Sequence, residues 1–149
     1  MINTIGTDHV ANQLKLKLGG DDVWGALAGF PGIGTALPIL LNDGVNKNRI
    51  SLEQFVKFTS QNAAQIFGMY PQKGTLEKNS DADITMIDLK KEKKVTSDLF
   101  GGFSDYIVYE GRNLKGWPVK TFVRGEIIAD NFEVIGKLGH GKLVKRKIN

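Results

Sequence analysis

The most constraining feature of this sequence is a change of pattern near Tyr70. Before it, apolar residues recur at helical spacing, most clearly over residues 51–68. After it, apolar and polar residues alternate, as over 82–89 and 117–123, which predicts β-strands. Only four or five strands and three helices can be drawn, and so few strands leave sheet edges unpaired. The pattern therefore predicts an α+β chain that forms part of something larger.

Local signals set the expected helices of the first part. A Ser-x-x-Gln capping box at Ser51 predicts that a helix begins there. We expect this helix to break near Ser60 into two short helices and to end at Gly68, because glycine suits the residue after a helix. A further short, buried helix is expected over residues 35–41, closed by the Asn-Asp-Gly sequence at 42–44.

The second part predicts a small antiparallel meander. Strands are expected over 82–89 and from Val95, and Asp130-Asn131 is expected to form the last turn. In the strand over 117–123, alternation places Lys120 outward. The same alternation points three apolar residues toward the core, namely Trp117, Val119 and Val123.

Composition excludes several classes of site. The chain has no cysteine, which excludes disulfides, thiolate metal sites and a cysteine nucleophile. It has two histidines, His9 and His140, too few for a self-contained centre of three or four imidazoles. No apolar run approaches ~20 residues, the length that spans a bilayer, and no signal-peptide pattern is visible at the start. We therefore expect a cytoplasmic protein with no membrane partner.

The positive charge is concentrated at the end of the chain. The net charge is +4, and residues 136–149 carry five basic residues and no acid. A nucleic-acid module is one hypothesis for such a tail. However, no aromatic residues are interleaved there for base stacking. We interpret the tail as a solvated or partner-docked terminus and expect no nucleic-acid partner.

Few polar residues are candidates for chemistry. Asp8, in Thr7-Asp8-His9, is a residue type that serves as a general base or a hard metal ligand, although Asp-His pairs more often form turns. Asp81 and Asp83 pair two carboxylates, for which a turn-entry role is favoured. His140, between two glycines, is interpreted as a loop histidine. The glycine-rich loop over residues 29–34 lacks the Lys-Ser/Thr of a phosphate-binding loop.

Motifs along almost the whole chain share one resemblance. In chain order they are Gly6-Thr7-Asp8-His9, Gly29-Phe30-Pro31-Gly32, residues 62–74, residues 81–84, residues 104–111, residues 115–121 and residues 136–141. Together they resemble the C-terminal third of the hydantoinase/dihydropyrimidinase family, in the cyclic amidohydrolase superfamily, with dihydroorotases second. Two departures stand out: the family loop has Asn-Gly where this chain has Ala28-Gly29, and dihydroorotases have a substrate-binding histidine where Asn12 stands.

The resemblance implies a fold. Residues 1–70 would form the end of a (β/α)₈ metal-dependent hydrolase barrel, with the loop after its last strand and the closing helices. Residues 71–135 would add antiparallel strands of the C-terminal β-sandwich, and 136–149 the basic tail. The barrel would be incomplete, because one strand cannot close an eight-stranded barrel.

The resemblance also implies a chemistry. Family members hydrolyse a ring amide, of hydantoin or dihydropyrimidine type, with a hydroxide that bridges two divalent metals, usually zinc. Asp8 matches the aspartate that binds metal and shuttles the proton, and the backbone near Ala28 and Gly29 would hold the small cyclic amide or imide. The family's histidine and lysine ligands have no match here, so we expect the chain alone to bind zinc poorly and to be catalytically incomplete.

Three alternatives stay open at this point. The chain is expected to be a truncated gene product, a deliberately shortened fragment or one half of a split enzyme, working as a homo-oligomer or with an N-terminal complement chain. A non-catalytic scaffold or interaction module of the same family is the second hypothesis, although Asp8 favours descent from an active enzyme. A dihydroorotase-type fragment is the third.

Overall fold

A computed structural model describes residues 2–146; Met1 and residues 147–149, the end of the basic tail, lie outside them. The α- and π-helices come first and a four-stranded sheet follows, with a 3₁₀-helix, Ser97–Phe100, between its first two strands. The expected order of helices and then a small antiparallel sheet is therefore confirmed. Within residues 2–146 there is one sheet, and residues 2–8 form no strand, so neither a second sandwich sheet nor a barrel strand is among them.

The first helical elements are short. Helix α1 spans Leu14–Lys17, and a 3₁₀-helix follows at Val23–Gly25. A second 3₁₀-helix, Ile33–Thr35, leads into α2, Ala36–Ile39, and then into a π-helix, Leu40–Val45.

The helix expected over residues 35–41 does not end at residues 42–44, so this prediction is wrong. These residues lie inside the π-helix, where the amide of Asn46 donates to the carbonyl of Leu41 at 2.8 Å. The chain there stays helical because the wider turn keeps its backbone groups hydrogen-bonded despite the glycine.

The capping box at Ser51 is confirmed. The amide of Gln54 donates to Ser51 Oγ at 3.2 Å, and the amide of Ser51 donates to Gln54 Oε1 at 2.8 Å. Helix α3, Leu52–Val56, passes through a π-helix, Lys57–Gln61, into α4, Asn62–Ile66. The two short α-helices expected on either side of Ser60 are confirmed, but the expected break between them is absent, because the π-helix joins them without interruption. Gly68 ends the run with φ +68°.

The sheet is a meander. Strands β1 (Ile84–Lys94), β2 (Asn113–Val123), β3 (Glu126–Asp130) and β4 (Glu133–Val134) pair in sequence order, each antiparallel to the next. Val95 does not begin a new strand, which corrects the expectation. It directly follows β1, its amide donates to the carbonyl of Arg112 at 2.9 Å, and its side chain is buried.

The core of the second part surrounds one tryptophan. Trp117 is fully buried with Val95, Ile107 and Leu114, and its indole N–H donates to the carbonyl of Leu114 at 2.8 Å. The predicted burial of Trp117 is confirmed. Leu41 brings the helices onto this core, since a Cβ on Gly116 would lie 2.9 Å from the Cβ of Leu41.

The predictions for the other residues of this strand, Val119, Val123 and Lys120, agree less well with the structure. The pairing of β1 with β2 shifts register between Met86 and Ile87, so Val119 is the extra residue of a bulge. Val119 and Val123 are consequently only half-buried. Lys120 is half-buried as well, paired with Asp130, rather than pointing freely outward.

None of the helices within residues 2–146 is long and apolar enough to cross a membrane.

Candidate functional site

Two loop segments from the first part run side by side. His9 and Phe30 form a parallel β-bridge, and the amide of Val10 donates to the carbonyl of Phe30 at 3.1 Å. Asp8 and Gly29 directly precede the two bridged residues, so the segment that carries Asp8 meets the loop that carries Gly29 at this point. The structure thus places the segment of Asp8 against the loop of Gly29.

Gly29 is required by this close approach. Its φ is +81°, a conformation that glycine adopts readily. A Cβ at this position would lie 2.3 Å from Cγ2 of Val10, far inside van der Waals contact. The neighbouring Ala28 is exposed, and within residues 2–146 no hydrogen bond engages the carbonyl of Ala28 or the amide of Gly29. This peptide is free to meet a ligand.

Asp8 lies directly before His9, in the other of the two paired segments. Its backbone is left-handed, with φ +46°, which aspartate tolerates better than most residues. The residue is exposed, and its carboxylate makes neither an ion pair nor a hydrogen bond with any other residue of the 2–146 range. The side chain can therefore take a proton or a cation from a neighbouring molecule.

The donor set amounts to one ligand rather than a metal centre. In the part of the chain that the structure describes, no group of three or more His, Asp or Glu could hold a metal ion. A tightly held catalytic metal needs several preplaced ligands. Asp8 fits a single coordination position of a metal ion, and the residues of the 2–146 range alone do not form a complete metal centre.

His9 takes a role that the sequence pattern did not indicate. Its Nδ1 atom accepts hydrogen bonds from the amides of Gly32, at 3.1 Å, and Ile33, at 3.3 Å. These two amides lie at the start of the 3₁₀-helix Ile33–Thr35. An accepting Nδ1 carries no proton, so the neutral ring bears its proton on Nε2.

A small pocket of about 100 Å³ lies behind His9. Its lining includes Ser104 and Tyr106, whose hydroxyl oxygens are buried and have no hydrogen-bond partner within residues 2–146. Between them, Asp105 Oδ1 accepts the amide of Leu14 at 2.7 Å and so caps helix α1 from 91 positions away. The sequence offered no signal for these contacts, because they join segments that are remote in the chain.

The acidic pair at Asp81 and Asp83 is structural, in keeping with the turn-entry role favoured above. Both carboxylates bind the ammonium of Lys73, at 2.8 Å for Asp81, and Asp83 Oδ1 accepts the amide of Arg124 at 2.8 Å. Burial of the ammonium acts to lower the pKa of Lys73, but the two carboxylates outweigh it and raise that pKa above its ordinary value. The pair joins the end of the helical part to the sheet.

His140 lies in a loop, as expected. Its Nε2 is 3.1 Å from the carbonyl oxygen of Val123, and its own carbonyl accepts a hydrogen bond from the guanidinium of Arg124. This part of the tail is therefore docked on the turn between β2 and β3.

Comparisons with known proteins cover nearly all of the chain. The sequence model of the amidohydrolase family matches residues 2–128. The L-hydantoinase of Paenarthrobacter aurescens is 41% identical over 148 residues, which cover 99% of this chain and 32% of that protein. A dihydroorotase of Methanosphaera stadtmanae is 40% identical over 132 residues, which cover 89% of this chain and 30% of that protein.

A solved structure agrees with these sequences. The L-hydantoinase (dihydropyrimidinase) of Arthrobacter aurescens superimposes with a TM-score of 0.90 at 41% identity, over 97% of this chain and 32% of that one. The chain thus spans about a third of the length of the relatives that it matches.

Proposed function

The chain belongs to the amidohydrolase family, and we propose that it is the part of a hydantoinase/dihydropyrimidinase-type cyclic amidohydrolase that supplies Asp8 and the Gly29 loop. The substrate is a small cyclic amide or imide, of hydantoin or dihydropyrimidine type, and the reaction is hydrolysis of a ring C–N bond. The observation that carries the proposal is the parallel bridge between His9 and Phe30, the residues that directly follow Asp8 and Gly29.

Asp8 is the reactive group that this chain contributes. Its exposed carboxylate accepts the proton of the attacking water and passes it to the ring nitrogen that leaves. A divalent metal, zinc by the resemblance, supplies polarisation of the carbonyl and an acidified water when bound. Asp8 would be the ligand that this chain contributes, and because residues 2–146 hold no group of three or more His, Asp or Glu that could bind a metal, the other ligands would come from outside them.

The Gly29 loop orients the ring. The carbonyl of Ala28 and the amide of Gly29 are an acceptor and a donor without partners within residues 2–146. The carbonyl and the N–H of one trans peptide point in opposite directions, so a cyclic imide uses one of the two: its ring N–H donates to the carbonyl of Ala28, or its ring carbonyl accepts from the amide of Gly29. Because this contact uses backbone atoms, it does not need the Asn-Gly that the family carries at Ala28-Gly29.

The rest of the surface has exposed apolar residues and an open strand edge, which fits a chain that further protein covers. Leu18, Val23 and Trp24 are 68%, 78% and 91% exposed. A groove of about 540 Å³ with both apolar and polar lining lies between the α3 helical run and β1, which is an edge strand. Exposed apolar patches and open edges favour association. We propose that the remainder of an amidohydrolase polypeptide, or a second copy of this chain, covers them.

A chimaera tests the proposal. This chain replaces the matching third of the Paenarthrobacter aurescens L-hydantoinase polypeptide, and ring opening is measured with hydantoin, dihydrouracil and dihydroorotate. We expect turnover of hydantoin or dihydrouracil. A chimaera that opens only dihydroorotate supports the dihydroorotase-type alternative. A chimaera that is folded and binds metal but opens none of the three supports a non-catalytic scaffold.

A further inference from the structure

We infer that His9 is a positioning residue, which fixes the Asp8 segment against the Gly29 loop through its Nδ1 atom. Its catalytic meaning rests on the proposed function, since Asp8 and the loop are proposed there to act on one substrate. The contact itself stands on the geometry. His9 has no role in bond making here and acts through its two neighbours.

The side chain and the main chain of His9 hold the same loop at two points. The backbone of His9 forms the parallel bridge with Phe30, and the imidazole Nδ1 receives the amides of Gly32 and Ile33. A single bridge fixes where two segments touch, but not the angle between them. A second attachment two to three residues further along restricts that angle, and so holds the segment that carries Asp8 against the loop that carries Gly29.

The convergence of two backbone amides on one ring nitrogen is a specific arrangement. The first amides of a helix have no partner within the helix, and a side-chain acceptor usually satisfies them. No side chain of the 3₁₀-helix Ile33–Thr35 does so, since Gly32 precedes it and offers no side-chain acceptor. His9 fills this role from 23 positions away. His9 also lines the small pocket that Ser104 and Tyr106 line.

Matched substitutions separate the Nδ1 acceptor from the rest of the ring. In asparagine the amide oxygen is bonded to Cγ, as Nδ1 is in histidine, whereas in glutamine it stands one atom further out, as Nε2 does. His9→Asn therefore keeps an acceptor at the Nδ1 position. His9→Gln keeps one only at the Nε2 position, and His9→Ala keeps none.

Hydrogen–deuterium exchange on the full chain, resolved to single residues by mass spectrometry, gives the readout. In His9→Gln and His9→Ala we expect the amides of Gly32 and Ile33 to exchange at least about tenfold faster, and in His9→Asn within about threefold of the unsubstituted chain. The amide of Val95, which donates to Arg112 in the sheet, reports that the fold is intact. Equal exchange in all three variants, whether fast or slow, overturns the inference.

Kinetic measurements show whether the contact of His9 Nδ1 with the loop amides matters for turnover. In the chimaera described above, His9→Gln is expected to lower kcat/KM by about tenfold or more, and His9→Asn to restore it to within about threefold. A chimaera without any activity contradicts the proposed function but leaves the exchange result valid. Full activity of His9→Gln alongside fast exchange contradicts the positioning role.

Discussion

The Nδ1 atom of His9 lies 3.1 Å from the amide nitrogen of Gly32, which joins two segments that are 23 residues apart. The same pair of segments shares a parallel bridge between His9 and Phe30. The consequence is local order in a region with little other regular structure. Asp8 and Gly29, the predicted carboxylate and the predicted loop glycine, directly precede the two bridged residues.

Gly29→Ala tests the close packing of the two segments. The new methyl group meets Val10 at 2.3 Å in a left-handed backbone, and overpacking and strain together should cost about 2–4 kcal/mol of unfolding free energy. Gly20→Ala is the matched control, because Gly20 has φ +60° with no atom within 4 Å. It should cost about 1–2 kcal/mol from strain alone. Equal losses in urea denaturation would show that Val10 does not press on Gly29.

Trp117→Ala tests the core of the sheet. Trp117 is 0% exposed, and emptying a buried aromatic site costs about 3–5 kcal/mol. The control is Trp24→Ala, because Trp24 is 91% exposed and its loss should cost less than about 0.5 kcal/mol. Thermal and urea unfolding give both values. A loss below about 1 kcal/mol for Trp117→Ala contradicts the assignment of the core.

Local signals account for what could be predicted from the sequence. The capping box at Ser51 depends on residues three apart, and alternation around Trp117 depends on neighbours, so both follow from short-range rules. The bulge at Val119 breaks the alternation, and nothing in the local pattern signals it. Asp8 and Gly29 were identified by resemblance, whereas their pairing needed the bridge between His9 and Phe30.

Long-range contacts determine the features that could not be predicted from the sequence. The last turn is formed by Asn131 and Phe132, with φ +46° and +74°, rather than by Asp130-Asn131 as expected. Phenylalanine is a poor turn residue, yet the ring of Phe132 packs edge-on against Trp117 at 5.5 Å with Lys93 Nζ 4.1 Å from its centroid. Such surroundings hold a backbone that the local sequence would not choose.

Acid should weaken the join between the helices and the sheet at Asp43. Hydrogen bonds from Lys47, at 2.6 Å, and Arg112, at 2.9 Å, lower the pKa of Asp43 to about 2. A carboxyl whose pKa is depressed by folding stabilises the fold above its unfolded pKa near 4, and loses that contribution as pH falls toward 2. After allowance for solvent screening, the contribution is about 1 kcal/mol.

Asp43→Asn is the variant that tests this contribution. Between pH 5 and pH 2 the free energy of unfolding of Asp43→Asn should fall less than that of the unsubstituted chain, by about 1 kcal/mol. Asp98→Asn serves as a control, since Asp98 is exposed and forms no ion pair within residues 2–146. Identical pH profiles for Asp43→Asn and the unsubstituted chain would show that the pairs with Lys47 and Arg112 contribute nothing measurable.

The isolated chain should associate with itself. Its exposed apolar side chains and the open edge of β1 need cover, and pairing of β1 with another strand is the simplest source of it. Light scattering on the purified chain is expected to give a mass above that of a monomer. Met86→Lys, which places a charge on a 48% exposed position of β1, should lower that mass. A monodisperse monomer that binds no hydrophobic dye would contradict the expectation.

Asp8→Asn in the chimaera is the most direct test of the account. Asparagine cannot accept the proton and is a weaker metal ligand, so kcat/KM for ring opening should fall by about a thousandfold or more. Asp21→Asn is the matched control, because Asp21 is also exposed and is not part of the parallel pair, and its rate should stay within about threefold of the parent. If Asp8→Asn keeps its rate within about tenfold of the parent, Asp8 is not the reactive carboxylate and the account is contradicted.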